Sequence, residues 1–255
     1  MTNKEMLCTA LKQSALELNC TVDDLTGGKS KAVISSTAEG ARKYLSLPFY
    51  CQLVSYGSGI VASVNEEIYA DAKAYIEKYA PEHCFETPNM LVLQSALERR
   101  GMSACFMAEY WLCDTDAIRM IDCSYELRLL TAEDFAPLYT PQWSNALCEK
   151  RKELDVLGIG AYDGEKLVGL AGCSADCESM WQIGVDVLPE YRRRGIASAV
   201  TGRLAAEIMA RGKVPFYCCA WSNVASARNA IRAGFRPAWV ELTAKSAECT
   251  ADMNK

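Results

Sequence analysis

The segment Tyr191-Arg192-Arg193-Arg194-Gly195-Ile196-Ala197-Ser198 limits what this 255-residue chain can fold into more than any other. Before it stands an apolar run from Trp181 to Leu188, closed by Pro189. After it comes an apolar-periodic stretch from Ile196 to Ala210, ended by Gly212. The pattern is strand, basic glycine-containing loop, helix. A loop of this kind leaves the first backbone N–H groups of the helix without acceptors and adds the positive end of the helix dipole, which together suit a pyrophosphate. Gly195 and the small Ala197 let phosphates approach the backbone, and the arginines add charge. The competing reading is a solvated basic turn that only joins two elements.

The neighbouring segments support a site. Tyr125 to Leu129 alternates like a strand, and Thr131 followed by Asp134 is a helix-opening pair. Val156 to Tyr162 and Lys166 to Cys173 are strand-like runs joined across Asp163-Gly164, a hairpin signature. Beyond the helix from Ile196, Val214 to Trp221 reads as a strand, Ser226 to Ala233 as a short helix stopped by Gly234, and Phe235 to Leu242 as a last strand.

The first half carries less information. Residues 4 to 18 are helical by spacing, Ala32 to Ile34 and Phe49 to Val54 are short strands, 66 to 79 and 89 to 100 are helices, and Ala104 to Leu112 is a strand. The pattern restarts near Met120, so the expected division is an α/β N-terminal domain over residues 1–120 and a second domain over 121–255. Two motifs there do not survive inspection. Gly27-Gly28-Lys29-Ser30 ends like a P-loop, but Asp23 stands where that loop needs its first glycine. Gly57-Ser58-Gly59 has the wrong spacing for a nucleophile elbow, and the single histidine, His83, gives no triad.

Half of the residues are hydrophobic and 23% are charged, a composition that folds throughout. The formal charge of −5 and the dispersed basic residues argue against nucleic acid. No apolar run is long enough to span a membrane, and the N-terminus lacks a signal-peptide profile, so a cytoplasmic location is expected. The 13 cysteines are irregularly spaced and read as reduced thiols. Neither Cys173 with Cys177 nor Cys218 with Cys219 belongs to a metal-ligand set, and no metal is expected.

Arg192, Gly195 and Ala197 satisfy, in order, the signature Arg/Gln, two residues, Gly, one residue, Gly/Ala. In this the chain resembles the GCN5-related N-acetyltransferase (GNAT) superfamily. The resemblance covers about residues 125 to 245. It takes in the strand Ile183 to Leu188 with Pro189, the segment from Asn223 to Gly234-Phe235, and the preceding hairpin. It implies an α/β fold of the α+β type: a mixed, mostly antiparallel sheet flanked by helices, preceded here by a smaller α/β domain, as in several bacterial members. That first domain would be a degenerate copy of the fold or a cover over the acceptor, and a homodimer stays open.

The resemblance further implies acetyl-coenzyme A as co-substrate. Val185, Asp186 and Val187 would pair with the pantetheine arm. The loop amides of Arg193, Arg194, Gly195, Ile196, Ala197 and Ser198, beside Arg192, would hold the pyrophosphate, and Asn223 with Ser226 would flank the pantetheine. The expected function is acetyl transfer to a primary amine of a small molecule or peptide. The alternative is a non-catalytic coenzyme-A-binding regulatory protein. One departure favours that alternative: many members carry a tyrosine four residues before the Gly of the Gly-Phe pair, where it protonates the departing thiolate, and here the residue is Ala230. Tyr217, with Cys219 and Trp221 on the same strand face, is the substitute acid; packing within the sheet is its competing role. Asp186 and Asp176 are the candidate bases, either of which could instead be a solvated or capping carboxylate.

Overall fold

A computed structural model describes residues 1–254. The chain divides into two compact units, each discontinuous in sequence: residues 1–9 with 111–237, and residues 10–110 with 238–255. In place of the single cut expected after residue 120, the chain crosses between the units three times, after residues 9, 110 and 237, the last crossing taking the C-terminal strand back to the unit begun at residue 10.

The unit of residues 10–110 and 238–255 contains most of helix α1 (Asn3–Leu18), the short α2 (Val22–Thr26), and strands β1 (Lys31–Ile34), β2 (Cys51–Ser55) and β3 (Val61–Val64). Helices α3 (Tyr69–Lys78) and α4 (Thr87–Glu98) come next, then most of β4 (Met102–Cys113). Strand β3 is absent from the sequence expectations. It pairs in parallel with β1 and antiparallel with β2, while β2 pairs antiparallel with residues 240–243 of the last strand. The core of this unit gathers Leu53, Ile60, Val64, Ile68, Ile76 and Leu97. Gly27 to Ser30 come after a helix and precede a strand, the reverse of a P-loop, and Gly57 to Gly59 connect β2 to β3.

A charged group is sealed inside this unit. Arg42, 2% exposed, donates from Nε and Nη2 to the Glu17 carboxylate at 2.7–3.0 Å and from Nη2 to Glu241 at 2.9 Å. Glu241 also accepts from Trp239 Nε1 at 2.7 Å, and the Trp239 ring stacks between Tyr110 and Tyr56. Burying two carboxylates is tolerable only because one guanidinium and several N–H groups answer them.

The unit of residues 1–9 and 111–237 holds β5 (Glu126–Thr131), β6 (Asp155–Asp163), β7 (Lys166–Ser174), β8 (Met180–Val187), α5 (Ile196–Ala210), β9 (Val214–Ala220), α6 (Val224–Arg232) and the first residues of β10 (Phe235–Ser246). A short α7 (Ala247–Asp252) belongs to the other unit. The sheet runs β9-β8-β7-β6-β5, antiparallel throughout except for the parallel pair β8/β9. This is the mixed, mostly antiparallel sheet that the family resemblance implies, and α5 has the bounds expected from its apolar spacing. Its Ile196, Val200, Leu204 and Ile208 are buried, each contributing about 1.5–3 kcal/mol of transfer free energy.

The α-helix expected to open at Thr131 does not form. Asp134 does accept from the Thr131 N–H at 2.8 Å, but Ala132–Asp134, Ala136–Leu138 and Pro141–Trp143 are separate single turns. Pro137 and Pro141 remove the donors and backbone angles that a continuous helix needs. These turns cover one sheet face through Phe135, Trp143, Ala146 and Leu147, packed with Leu130 and Leu170. Among the described residues no helix is long and apolar enough to cross a membrane.

Arg42→Ala, which strands two buried carboxylates, is expected to lower unfolding free energy by about 3–5 kcal/mol in urea titration. Lys166→Ala, which removes the exposed Lys166–Glu190 pair, should cost no more than about 1 kcal/mol.

Candidate functional site

Strands β8 and β9 part company halfway along. Their register runs from Met180–Val214 to Ile183–Tyr217 and stops, although β8 continues to Val187 and β9 to Ala220. On its other side β8 stays paired to β7 from Gln182 through Val187. Residues 184–187 therefore have one satisfied side and one side facing a gap, where a ligand chain with amide groups could add hydrogen bonds as a further strand would. Val185, Asp186 and Val187 are all half-buried along this stretch. The sequence-derived positions for the pantetheine arm thus fall on the open stretch.

Pleating sorts the side chains into two faces. Gly169, Ala171, Val185 and Val187 lie on the face packed by α5; Leu170, Gly172, Gly184 and Asp186 lie on the face covered by the single turns. The α5 face carries the loop. Pro189 to Tyr191 make one turn, Arg193 adopts φ +63° and Gly195 φ +82°, and α5 begins at Ile196. Gly195 is the residue type that takes this backbone without strain, and a Cβ there would meet nothing within 4 Å, so the space above it is open. Gly195 caps α5 without a side-chain bond, and its carbonyl accepts from the Ala199 N–H at 3.1 Å. The amides of Ile196, Ala197 and Ser198 have no acceptor among the described residues. Three donors and the positive helix end face outward together, the arrangement that binds phosphate oxygens.

The three arginines do different things. Arg192 Nε donates to the Val187 carbonyl at 3.0 Å and ties the loop to β8. Arg194 donates to the Tyr125 hydroxyl at 2.7 Å and the Glu190 carbonyl at 3.0 Å. Arg193 is exposed and its guanidinium has no partner among the described residues. Of the three, Arg193 is thus the uncommitted one; the other two hold the loop in shape. Ile196 is buried against the sheet and contributes its amide rather than its side chain.

The serines and asparagines join α5 to α6. Ser198 Oγ donates to Asn229 at 3.0 Å, and Asn229 donates to Thr201 at 3.1 Å. Asn223 caps α6 by accepting from the Ser226 N–H at 3.1 Å. Ser226 Oγ shares a hydrogen bond of 2.7 Å with the Tyr217 hydroxyl. Tyr217 sits at the last position of β9 that pairs with β8, the apex of the gap, and is 3% exposed. Burial pushes its phenol above the usual value, an effect reduced by the hydrogen bonds to Ser226 and Asn229. Cys219 is buried two residues on, and Trp221 is exposed.

The candidate bases fare differently. Asp176 has no exposed surface, accepts from Ser174 Oγ at 2.7 Å and lies 3.7 Å from Arg151, past the end of β7 remote from the gap. Its expected place beside a reacting amine is therefore corrected: the strand runs away from the site. Asp186 does border the gap, but its carboxylate accepts from the Asn145 N–H at 2.8 Å, Asn145 Nδ2 at 2.7 Å and the Ala146 N–H at 2.9 Å. These three bonds direct the carboxylate to the turn at Asn145 and Ala146. Sequence reasoning missed Asn145, Asn229 and the register pair Gly172–Gly184. Glycines inside adjacent strands were the available signal, since they mark close backbone approach. The described residues contain no cluster of metal ligands.

A model of GNAT acetyltransferases matches residues 108–238, or 131 of the 255 residues. Among solved structures, a GNAT-family protein from Novosphingobium aromaticivorans is 22% identical, with 56% of this chain and 66% of that chain covered and a TM-score of 0.45. A GCN5-related N-acetyltransferase from Sphaerobacter thermophilus is 14% identical over 74% of this chain and 72% of that one, with a TM-score of 0.48. A Salmonella typhimurium protein solved with acetyl-CoA is 17% identical over 49% of this chain and 94% of that one, with a TM-score of 0.35. The chain spans just under two thirds of the Novosphingobium protein. No curated protein matches it. With a family model over more than half its length, lying on the parted strands and the loop, the chain belongs to the GNAT acetyltransferase family.

Proposed function

We propose that the protein transfers an acetyl group from acetyl-coenzyme A to a primary amine of a small molecule or peptide. The observation that carries this reading is the convergence of two backbone sets: the open side of residues 184–187, apart from the Val187 carbonyl that Arg192 occupies, and the free amides of Ile196, Ala197 and Ser198. One suits an amide-bearing pantetheine arm and the other a pyrophosphate, in the order that coenzyme A presents them. Arg193 adds an exposed charge for the phosphates.

In the proposed reaction a neutral amine attacks the thioester carbonyl, a C–N bond forms, and the C–S bond breaks. A backbone N–H on the open stretch of β8 polarises the carbonyl as negative charge develops. Asp186 is turned toward Asn145 and Ala146 by three hydrogen bonds, and in this reaction the proton lost by the amine passes to water. Tyr217 stands at the apex with its proton retained by burial, and it supplies that proton to the departing thiolate in place of the tyrosine that Ala230 replaces. Both Ser226 and Ala230 lie on α6 next to β9, one helical turn apart. The turn after β3 in the other unit opens with Glu66 and Glu67, which repel a phosphate. One coenzyme A per chain is expected.

The competing reading, a coenzyme-A-binding regulator, is favoured by Ala230 alone. Calorimetric titration separates a site from no site. Acetyl-coenzyme A should bind the intact protein one to one at micromolar strength, about −8 kcal/mol. Gly195→Trp, which strains the φ +82° backbone and fills the space above it, should abolish binding; an intact protein that binds nothing would defeat the proposal. Thiol release that depends on an added primary amine identifies the enzyme, and binding without release identifies the regulator.

Tyr217→Phe should lower kcat by about 10²-fold, the scale of a lost proton donor. Its folded pKa lies above the phenol's ordinary value of 10.0, so the acid form persists at neutral pH. The wild-type rate should fall only above pH 10, a fall that the variant lacks. An unchanged kcat would reduce Tyr217 to packing.

A further inference from the structure

Gly172 and Gly184 are register partners on β7 and β8, and both present their missing side chain to the face covered by the single turns. A Cβ at Gly184 would run into the Asn145 carbonyl, and one at Gly172 into the Ala146 carbonyl. The backbone of residues 145–146 therefore rests directly on the two strands. Gly184 is also the first residue of β8 with no partner across the gap. Two residues further along the same face, Asp186 holds that turn from the other end by accepting three N–H bonds from Asn145 and Ala146. Trp143 and Leu147, both buried, anchor the turn on either side.

We propose that the Asn145–Ala146 turn, clamped by Asp186 onto the Gly172–Gly184 pair, is the wall that limits the length of the acyl group this protein accepts. The inference rests on the coenzyme A reading. With the pantetheine arm along β8 and its thioester near the apex at Ile183 and Tyr217, the acyl chain leaves toward the face opposite α5. There it meets backbone rather than a side chain that could rotate aside, and the glycine pair removes the space between turn and sheet. An acetyl or propionyl group ends before the wall; a longer chain requires the turn to lift. Asp186 is on this account a positioning residue, acting through Asn145 and Ala146.

The probes are acetyl-, propionyl-, butyryl- and hexanoyl-coenzyme A, titrated without any amine, so that an unknown acceptor does not enter. The intact protein should bind acetyl- and propionyl-coenzyme A at least tenfold more tightly than the hexanoyl form. Asn145→Ala removes one donor without touching β8; it should keep acetyl-coenzyme A affinity within about threefold and reduce the chain-length preference. Asp186→Ala, which removes all three of the bonds to the turn, should reduce it further, at least tenfold, and should speed amide hydrogen exchange at Asn145 and Ala146. Should Asp186→Ala fail to fold, Asn145→Ala and Asp186→Asn carry the test. A wild-type preference that both folded variants retain overturns the proposal, as does a wild type that binds all four thioesters alike. Failure of every thioester to bind the intact protein overturns the coenzyme A reading instead.

Discussion

The early end of pairing between β8 and β9 is the constraint on which the rest of this site depends. A parallel ladder that ran on to Asp186 and Ala220 would satisfy the facing backbone groups of both strands and leave no open edge for a ligand chain. Because the ladder ends at Ile183 and Tyr217, a stretch of β8 keeps hydrogen-bonding capacity on one side. That stretch is held rigid by its continuing antiparallel ladder with β7 and by Arg192, which ties Val187 to the loop. Rigidity matters here because preorganised donors are not reoriented when a ligand arrives.

The two sheet faces then divide the work. Helices α5 and α6 lie on one face, linked by the Ser198–Asn229–Thr201 bonds and by Tyr217 to Ser226, and they present amides and a phenol. The other face is closed by turns of irregular backbone that could not rest so near the sheet over any residue but glycine. A single carboxylate, Asp186, belongs to β8 yet spends its lone pairs on that second face. Its three bonds to Asn145 and Ala146 tie that turn to β8.

Local signals were legible in the sequence, and long-range ones were not. The loop from Tyr191 to Ser198, the helix after it and the hairpin at Gly164 depend on neighbouring residues, and each forms where spacing places it. The helix expected at Thr131 fails to form although its opening pair is genuine, because Pro137 and Pro141 interrupt the residues beyond it. The engagement of Asp186 by residues some 40 positions earlier leaves no local trace, nor does the return of the last strand to the unit begun at residue 10. The buried Glu17–Arg42–Glu241 group likewise joins residues 199 positions apart, and no pattern of charges along the chain foretells it.

The most direct measurement is amide chemical-shift mapping of the full chain on addition of coenzyme A. The account expects the largest changes at Gly184 to Val187 and at Ile196 to Ser198, because those are the two sets of backbone groups awaiting partners. Changes concentrated elsewhere, with both segments unmoved, would contradict it.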